Sequence, residues 1–523
     1  MRWRLIKIDM TKQRLWIVVF LLIYLLVLIR NSWASDDAFI TLRVADNILH
    51  GYGPRWNGAE RVQVFTHPLW TLSLLPFYKL IQDPFLTLYV ACAFFSLIAV
   101  FCLFAWFSPR LSTSMIITVL LLSSKSFMDY SSSGLENPLS HLLVILFAWI
   151  YFREDFSEKR ILLLSFIASL STFNRIDSLL FFLPALVLEL WQLRAHFPKA
   201  LGLMALGFSP MVLWEIFSLL YYGFPFPNTY YAKLTTGIPQ TDLYRQGWFY
   251  FINSFKWDHV TLPVISLAVL FSLFSRERKV ISLALGILFY FTYLFRIGGD
   301  FMSGRFFSAT FVLALVLLLQ LSILKNIKLN YAASFGLTAV VLFLGLTSFM
   351  PHLFVRAADG GVPEEQGITD EKMAYYQCCS LLNQWPRENL LPVAVKAQMA
   401  RSEKERIVVR TSVGIYGYYA GPDVYIMDKV CLGDPLRARL PVTWKWRIGH
   451  FERHYPVGYV ETIENGFENQ IREAHLHEYY DKLLIVTRGK LLSPERLKTI
   501  VEFNLGKYDY LIDEYMQSKD WEK

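Results

Sequence analysis

Two adjacent carboxylates, Asp36 and Asp37, come directly after the first long apolar stretch of the chain. Neighbouring residues do not share a helix face, but both carboxylates can line one cavity when they lie on a loop. Crowding and partial burial raise the pKa of one of the two, which suits a general base. Asp is also a favoured helix N-cap, and a helix that begins at Ala38 would use it in that way. The pair therefore predicts a catalytic carboxylate, a helix cap, or one residue in each role.

A second group of candidates combines arginine with aspartate. Arg296, Asp300 and Arg305 flank a pair of glycines, which lets backbone N–H groups approach an anion, while arginine offers phosphate a two-pronged donor. The alternative is an Arg–Asp ion pair that closes a tight loop. The same two alternatives apply to Arg175 and Asp177 in the sequence FNRID, where the structural pair is slightly favoured.

Further polar residues have side chains that suit a sugar or its phosphate. Asn228 and Tyr230 suit sugar hydroxyls and ring faces, and Lys233 suits a phosphate. Glu136 and His67 are further candidates, but a helix cap explains Glu136 equally well, and His67 is typical of a histidine at a membrane interface. Aromatic residues are also routine at such interfaces. No GxSxG, P-loop or GxGxxG motif supports hydrolase or nucleotide-driven chemistry.

The elements that must position these residues are membrane helices. Of 523 residues, 54% are hydrophobic and 18% are charged, against about 25% charged residues in soluble domains. Apolar segments of about 15–23 residues recur from Arg14 to Met350. This pattern predicts a polytopic α-helical membrane protein and excludes collagen, disorder and small disulfide scaffolds. No basic run with interleaved aromatics predicts a nucleic-acid partner.

The charges predict the topology. The short stretch 68–80 ends in Lys79 and is interpreted as a helix that lies at the interface. With that choice, each predicted cytoplasmic turn carries Lys or Arg, as the positive-inside rule requires, and the N-terminus is cytoplasmic. Eleven spans are predicted, near 15–29, 85–107, 112–127, 135–152, 160–173, 177–193, 199–221, 260–275, 280–295, 307–323 and 331–349.

The unusual polar loops then fall on the outer side of the membrane. They are 35–43, 131–137, 173–177, 223–233 and 297–305. Charges close to apolar helix ends are costly, so they mark a water-filled site or a pairing partner. At the outer surface, the phosphate that such a site meets is that of a lipid.

Composition also predicts two domains. Residues 1–350 form the membrane-embedded catalytic domain, with 31–84 as its first outer loop, and 351–523 mix charged and aromatic residues as expected of a water-facing domain. Strand-like sequences at 406–410 and 424–428 and an amphipathic stretch at 494–515 predict a mixed α/β fold for the second domain. It is expected to cover the site and to bind the acceptor, or to be a structural cap without a ligand.

The sequence resembles a known family most clearly in one block. SDDAFITLRVADNILHGYGPRWNGAERVQVFTHPLW (35–70) is similar to the opening of the AftB arabinofuranosyltransferases, which belong to the GT-C glycosyltransferase superfamily. The likeness covers nearly the whole chain. It continues in SGLEN (133–137), NRID (174–177), PNTYYAK (227–233), GGDFMSGRF (298–306), GYYAGPDVYIMD (417–428), GDPLRARLP (433–441) and WRIGHFER (446–453).

The resemblance implies a glycosyltransferase of the bacterial inner membrane. Its donor would be decaprenyl- or undecaprenyl-phosphoryl D-arabinofuranose, and its acceptor a cell-envelope glycan or a pilin on the outer side. Asp36 or Asp37 would be the catalytic carboxylate, with Asp36 preferred by its position in the loop. The implied ligands of the donor phosphate are Arg296, Arg305, Lys233, His67 and Arg43. The implied ligands of the sugar or the acceptor are Glu136, Asn228, Tyr230, Asp300, Arg175 and Asp177.

Several alternatives stay open at this point. The Phe-, Ile- and Lys-rich composition differs from the Ala/Arg-rich mycobacterial members, which argues against an arabinogalactan acceptor. An inverting reaction needs only a base, whereas a retaining one needs a nucleophile or same-face attack. The carboxylates could equally hold a divalent cation. A polymerase or ligase of undecaprenyl-diphosphate-linked glycans would rely on a large central outer loop, and a glycolipid transporter on charges within spans and on repeats.

Overall fold

The computed structural model of the chain describes residues 10–108, 110–153, 158–321, 331–348, 364–384, 390–442 and 446–518. These residues are mostly helical and form two small sheets. The predicted domain boundary between residues 350 and 351 lies outside the described residues. The chain divides into two compact units. The first unit contains Met1–Ser35, Phe85–Pro210 and Thr241–Pro386, and the second unit contains Asp36–Pro84, Met211–Gln240 and Arg387–Lys523.

Helices account for most of the described chain. In chain order they are α1 (Met10–Asn31), α2 (Asp36–Leu49), α3 (Pro68–Ile81), α4 (Pro84–Phe107), α5 (Leu111–Ser123), α6 (Lys125–Tyr130), α7 (Asn137–Phe152), α8 (Glu158–Asn174), α9 (Leu179–Gln192), α10 (Phe197–Gly207), α11 (Ser209–Tyr221), α12 (Asn228–Leu234), α13 (Gln240–Trp257), α14 (Thr261–Leu273), α15 (Arg278–Ile297) and α16 (Phe307–Gln320). The later helices are Tyr331–Thr347, Glu371–Cys379, Leu381–Gln384, Pro392–Ser402, Gly414–Ala420, Tyr459–Glu464, Ala474–Arg488, Pro494–Asn504 and Asp509–Gln517.

Most predicted spans coincide with one helix each, but the helices differ in length, and the predicted span 112–127 is divided at Ser124 into α5 and α6. Within the described residues, α4 and α15 are each long and apolar enough to cross a membrane. The pair Ile176–Gln192 and Arg194–Gly207, bent by 74°, would be a third such segment if it is one span. Seven further apolar helices have 10–17 residues. The apolar helices therefore support the prediction of a membrane protein, whereas the number of eleven spans stays a prediction.

The predicted span 199–221 is not one helix. It is divided at Phe208 into α10 and α11, and Pro210 is the second residue of α11. Proline lacks the N–H that a continuous helix would use, and its ring clashes with the carbonyl four residues earlier. Pro210, which is visible in the sequence, therefore explains the break between α10 and α11.

The first unit has a core of buried aliphatic and aromatic side chains. Gly286 of α15 lies so close to α9 that an added Cβ would be 2.1 Å from the carbonyl oxygen of Phe181. Such small residues let helix backbones approach in a bilayer, where packing replaces the hydrophobic effect. The only strands described in this unit are β1 (Glu364–Glu365) and β2 (Ile368–Thr369), an antiparallel pair.

The second unit is built around a parallel strand pair. Its strands β3 (Ile407–Arg410) and β4 (Tyr425–Asp428) pair from Ile407 with Tyr425 to Arg410 with Asp428, so both predicted strand-like sequences are strands. Parallel strands need a crossover, which the helix Gly414–Ala420 provides. The outer loop that composition assigns to the membrane domain belongs, from Asp36 onward, to this unit.

Candidate functional site

The predicted acidic pair opens helix α2. The Asp36 carboxylate is 9% exposed and accepts hydrogen bonds from the backbone N–H groups of Gly414 and Ile415, both at 2.8 Å. Burial is the largest effect and raises the pKa of Asp36 to about 6, although these two N–H groups oppose it. Of the predicted alternatives, Asp36 therefore has the role of a helix cap, but the helix that it caps is the crossover helix of the second unit, and α2 begins at Asp36 and not at Ala38.

Asp37 differs from its neighbour. It is half-buried, and no hydrogen bond or ion pair to its carboxylate occurs within the described part of the chain. The two carboxylates therefore differ. Asp36 is fixed by two backbone donors, whereas the Asp37 carboxylate is available to a ligand.

His67 lies close to the same face of α2. Its Nε2 is 2.6 Å from the hydroxyl of Thr41, and Thr41 follows Asp37 by four residues, which puts both on one side of the helix. His67 also immediately precedes α3, which begins at Pro68. The structure thus brings two predicted site residues, Asp37 and His67, to one end of α2.

Arg43, also on α2, is buried and its donors face the protein. It donates to the carbonyl oxygens of Trp56, Gly417 and Val424 at 2.9–3.0 Å, and its guanidinium lies 4.4 Å from the ring centroid of Trp56. A guanidinium held in this way stabilises the fold. These contacts give no support to its predicted role in phosphate binding.

The predicted residues of the 223–233 loop lie on the short helix α12. Asn228 is buried, and its Nδ2 lies 2.9–3.1 Å from the carbonyl oxygens of Cys431, Leu432 and Asp434. The Tyr230 ring stacks on Phe226 with centroids 4.4 Å apart. Lys233 is half-buried in the last turn. Asn228 thus fixes α12 to the segment after β4, while Tyr230 and Lys233 lie beyond that anchor.

Five predicted residues of the first unit form one buried ion network. Glu136 is fully buried, and its Oε1 lies 2.6 Å from Arg175 Nη1 and 3.1 Å from Arg305 Nη2. Arg175 also binds Asp177 through two hydrogen bonds, and Arg305 lies 3.7 Å from Asp300. Two guanidiniums against three carboxylates give a formal charge of −1. Both arginines are therefore paired with carboxylates of the protein, and these contacts give no support to the predicted role of Arg305 in phosphate binding.

Arg296 lies apart from these contacts. It is exposed in the last turn of α15, where a positive charge complements the helix dipole. The glycine pair after it adopts positive φ, at 83° for Gly298 and 76° for Gly299. The two glycines therefore end helix α15. Arg296 is not one of the five residues of the ion network.

A second buried network in the first unit was not predicted from the sequence. Lys125 lies 2.9 Å from Asp370, Lys372 lies 2.9 Å from Asp129, and Lys125 also pairs with Asp129. The spacing of Lys125 and Asp129 by four residues is a visible signal, but their other partners lie more than 240 residues further along the chain. Two positive and two negative charges balance, which indicates a structural role.

A divalent-cation site would need several ligands close together. Among the described residues, no group of three or more His, Cys, Asp or Glu side chains could hold a metal ion.

Comparison with known proteins finds two enzymes that are similar to the chain. No family model matches it. It is similar to the terminal β-(1→2)-arabinofuranosyltransferase of Mycobacterium tuberculosis, with 25% identity over 522 residues and 82% of each chain covered. It is also similar to the enzyme of the same name from Corynebacterium glutamicum, with 25% identity over 331 residues, 53% of this chain and 46% of the other.

A solved structure shares the fold. The crystal structure of ArnT from Cupriavidus metallidurans bound to undecaprenyl phosphate matches with a TM-score of 0.50 and 12% identity, covering 82% of this chain and 88% of that one. The chain therefore has the same fold as this structure. The two similar enzymes confirm the predicted resemblance to the AftB arabinofuranosyltransferases and support a glycosyltransferase activity.

Proposed function

We propose that the protein transfers a D-arabinofuranosyl residue from a polyprenyl-phosphate donor to a hydroxyl group of a cell-envelope glycan or a pilin-type surface protein. The names of the two similar enzymes support the sugar. The undecaprenyl phosphate bound to the structural neighbour supports the donor. The observation that carries the proposal is the divided acidic pair, in which Asp36 is fixed by two backbone donors and Asp37 is available at the start of α2.

The reaction needs one base and a stabilised leaving group. The acceptor oxygen bonds to the anomeric carbon, the bond from that carbon to the phosphate oxygen breaks, and the acceptor proton passes to Asp37. Polyprenyl phosphate departs with the bonding electrons, so no sugar nucleotide is required. Positive charge near the departing phosphate stabilises it, and in the second unit Lys233 and His67 are assigned to it.

A retaining reaction uses the same carboxylate differently. Asp37 would attack the anomeric carbon as polyprenyl phosphate departs with the bonding electrons. The acceptor hydroxyl would then displace the Asp37 carboxylate from the glycosyl ester and pass its proton to the released phosphate. Both routes need a carboxylate that is not already bonded, and Asp37 meets this requirement better than Asp36. The anomeric configuration of the product distinguishes the two routes.

The ion network of the first unit is assigned a positioning role. To bind a phosphate, Arg175 or Arg305 would have to release Glu136, and an unpaired buried carboxylate is costly. The network joins the polar sequences around residues 136, 175 and 305. The turns that carry Lys or Arg are predicted to be cytoplasmic, and these polar sequences lie at the opposite ends of the helices. We therefore propose that the transfer takes place on the outer side of the membrane.

The test uses purified full-length protein in detergent with synthetic polyprenyl-phosphoryl arabinofuranose and measures release of polyprenyl phosphate. Asp37→Asn should reduce turnover by at least 10²-fold, the usual contribution of a positioned base, while donor binding persists. Asp36→Asn should reduce turnover less and lower the melting temperature, because an amide cannot accept both N–H bonds. Asp423→Asn, which changes an exposed aspartate of the same unit, should match the wild type.

Three outcomes would contradict parts of the proposal. Full turnover in Asp37→Asn would transfer the catalytic role to Asp36 or to neither residue. Turnover only with other polyprenyl-phosphate sugars would refute arabinofuranose. Polymerisation of an undecaprenyl-diphosphate-linked oligosaccharide, without transfer from any monophosphate donor, would favour the polymerase alternative.

A further inference from the structure

Helix α11, which belongs to the second unit, has an exposed apolar face. Leu213, Phe217 and Leu220 are all exposed, and their spacing of four and three residues puts them on one side of the helix. α11 is also one of the short apolar helices of the chain. Exposed apolar faces of this kind mark contacts with a partner or with a membrane. In a membrane protein, the first partner to consider is the lipid.

A second exposed apolar segment adjoins the last turn of α11. Leu491 and Leu492 are both exposed, Leu492 by 66%. The buried Arg496 joins the two segments, because its Nη1 donates to the carbonyl oxygens of Leu220 and Leu491 at 2.7 and 2.8 Å. The two leucines therefore lie beside the end of α11. Together these segments form one apolar surface, which consists of Phe217, Leu220, Leu491 and Leu492.

Two arginines lie at the same end of α11. Arg55 Nε donates to the hydroxyl oxygen of Tyr221, the last residue of the helix, at 3.2 Å. Its guanidinium carbon is 5.9 Å from the centroid of the Tyr221 ring. Arg61 Nη2 donates to the carbonyl oxygen of Gly489, two residues before Leu491. Both guanidiniums are therefore close to the apolar surface.

Two further basic residues come from the segment that carries the leucines. Arg488 is exposed, and its Nη1 donates to the carbonyl oxygen of Ala59 at 2.9 Å. Lys490 is exposed as well. Residues 488–507 contain five basic and two acidic residues, so this segment has an excess of positive charge. The basic cluster consists of Arg55, Arg61, Arg488 and Lys490.

The charges of the basic cluster are not balanced by the protein. No ion pair between the cluster and a carboxylate occurs within the described residues. Burial lowers the pKa of Arg61, and the charges of Arg55 and Arg488 lower it further. Arg61 Nε is buried, and the described chain offers it no hydrogen-bond partner. Like charges held together beside an unused donor favour the binding of an anion.

The carboxylate next to Arg61 in the sequence does not neutralise the cluster. Glu60 is buried and accepts hydrogen bonds from Tyr425 at 2.8 Å and from Thr487 at 3.4 Å. Burial raises its pKa to about 7, so at neutral pH it carries only part of a negative charge. The potential at the end of α11 is consequently set by the basic residues.

The neighbouring apolar surface identifies the kind of anion. Arginine binds phosphate with two parallel hydrogen bonds, and clusters of Lys and Arg at a membrane surface bind anionic lipids. A soluble phosphate would leave the apolar surface uncovered. The cationic headgroup of a zwitterionic lipid would be repelled by the cluster. The sequence predicts that the loop after α11, 223–233, is on the outer side, which puts the cluster at the level of the lipid headgroups.

We propose that the second unit binds an anionic phospholipid of the surrounding bilayer at the end of α11. The basic cluster binds the phosphate of the headgroup, and the apolar surface contacts the acyl chains. The bound lipid holds the segment around Leu492 against the membrane. This site does not include the acidic pair, and the proposal does not depend on the transfer reaction.

Quenching by spin-labelled lipid tests the contact directly. Full-length Leu492→Cys protein carries a bimane label, with Cys378 replaced by serine because the other four cysteines are buried. It is placed in phosphatidylcholine nanodiscs that contain phosphatidylglycerol or phosphatidylcholine with a nitroxide near the headgroup end of one acyl chain. We expect quenching at Leu492→Cys but not at Glu405→Cys, which labels an exposed acidic position of the same unit. Spin-labelled phosphatidylglycerol should reach half-maximal quenching at about a tenfold lower mole fraction than spin-labelled phosphatidylcholine.

Substitutions test the basic cluster. Arg61→Gln and Arg488→Gln should each reduce the preference for phosphatidylglycerol by roughly fivefold. Arg472→Gln, which changes an exposed arginine of the same unit, should leave it unchanged. Melting temperatures in detergent show whether each variant is folded. Lys490→Gln, an exposed position without a described contact, should also reduce the preference and serves as the test if the arginine variants do not fold.

The possible outcomes separate the lipid from other occupants. Absence of quenching at Leu492→Cys would overturn the proposal, and so would equal quenching by the two spin-labelled lipids. A preference that is unchanged in every variant of the cluster would also overturn it. Displacement of spin-labelled phosphatidylglycerol by undecaprenyl phosphate, but not by unlabelled phosphatidylglycerol, would assign the cluster to the donor lipid instead. Displacement by unlabelled phosphatidylglycerol, with little effect of inorganic phosphate, would support the proposed phospholipid site.

Discussion

Several buried arginines show that burial determines which groups a guanidinium binds. Arg43, Arg437, Arg453 and Arg496 are each at most 2% exposed and donate mainly to backbone carbonyl oxygens. An arginine in a sequence predicts that a carboxylate, a phosphate or a carbonyl can be bound, but it does not say which is present. The partners of Arg43 lie up to 381 residues away, so local sequence gives no signal for them.

The buried Glu60 predicts a pH dependence of stability. Its pKa is raised to about 7, chiefly by burial, so between about pH 4.5 and 7 the folded chain holds a proton that the unfolded chain has released. The free energy of unfolding should therefore fall as pH rises through this window, by on the order of 1–3 kcal/mol. Thermal melts at pH 5 and pH 8 should show a smaller fall for Glu60→Gln than for the wild type. Equal falls in both proteins would refute this prediction, and Glu461→Gln, an exposed glutamate, is the control.

The buried network around Glu136 predicts a large effect of removing one charge. Glu136→Gln keeps the shape but leaves Arg175 and Arg305 without their shared carboxylate, and breaking a buried pair costs about 3–5 kcal/mol. The exposed pair Lys256–Glu365, with side chains 51% and 40% exposed, provides the matched control, since Glu365→Gln should cost less than about 1 kcal/mol. Unfolding of both variants in detergent measures the difference. Similar melting temperatures would show that the network contributes little.

At the scale of helices and strands, the sequence was a good guide to position. Long apolar runs predict helices over nearly the observed ranges, and the strand-like sequences at 406–410 and 424–428 contain β3 and β4. The break at Phe208 was missed although Pro210 marks it. The crossover helix was missed because Gly414-Ile-Tyr-Gly carries no helical signal, and its first N–H groups are satisfied by Asp36 from a distant segment. The sequence pattern of one segment gives no information about its contacts with distant segments.

Close packing of α9 and α15 gives a prediction for a helix pair. In Gly286→Ala, the new methyl group would lie 2.1 Å from the Phe181 carbonyl oxygen, and backbone cannot move aside cheaply. We expect a loss of about 1–3 kcal/mol, measured as a lower melting temperature in detergent. Gly202→Ala on α10, where nothing lies within 4 Å, should be neutral or stabilise by up to about 1 kcal/mol. If both variants melt alike, the helices are less tightly packed than described.

The whole molecule differs from a membrane domain with a detachable cap. The second unit takes 36–84 and 211–240 from the region predicted to be membrane-embedded and joins them to 387–523. Composition separates apolar from polar stretches, and so it could not show which stretches fold together. The family resemblance and the acidic pair were visible in the sequence, whereas the partners of Asp36 and Asn228 appear only in the fold.

This arrangement predicts that the C-terminal part cannot be removed. A chain that ends at residue 386 loses the N–H groups that hold Asp36 and two carbonyl oxygens that hold Arg43. It should lose donor turnover, and its 36–84 segment should be cleaved rapidly in limited proteolysis. A chain that ends at residue 517 is the control and should behave as the wild type. Normal turnover by the shorter chain would show that 387–523 is a dispensable cap.

The hydrogen bonds from Gly414 and Ile415 to Asp36 also set an order of events during synthesis. The ribosome makes Asp36 378 residues before Gly414, and at about 5–20 residues per second this interval lasts roughly 20–75 s. Throughout it, the nascent chain holds an unsatisfied acidic loop beside helices that are already being inserted. The hydrogen bonds that hold Asp36 can therefore form only late in translation, after Gly414 and Ile415 have been made.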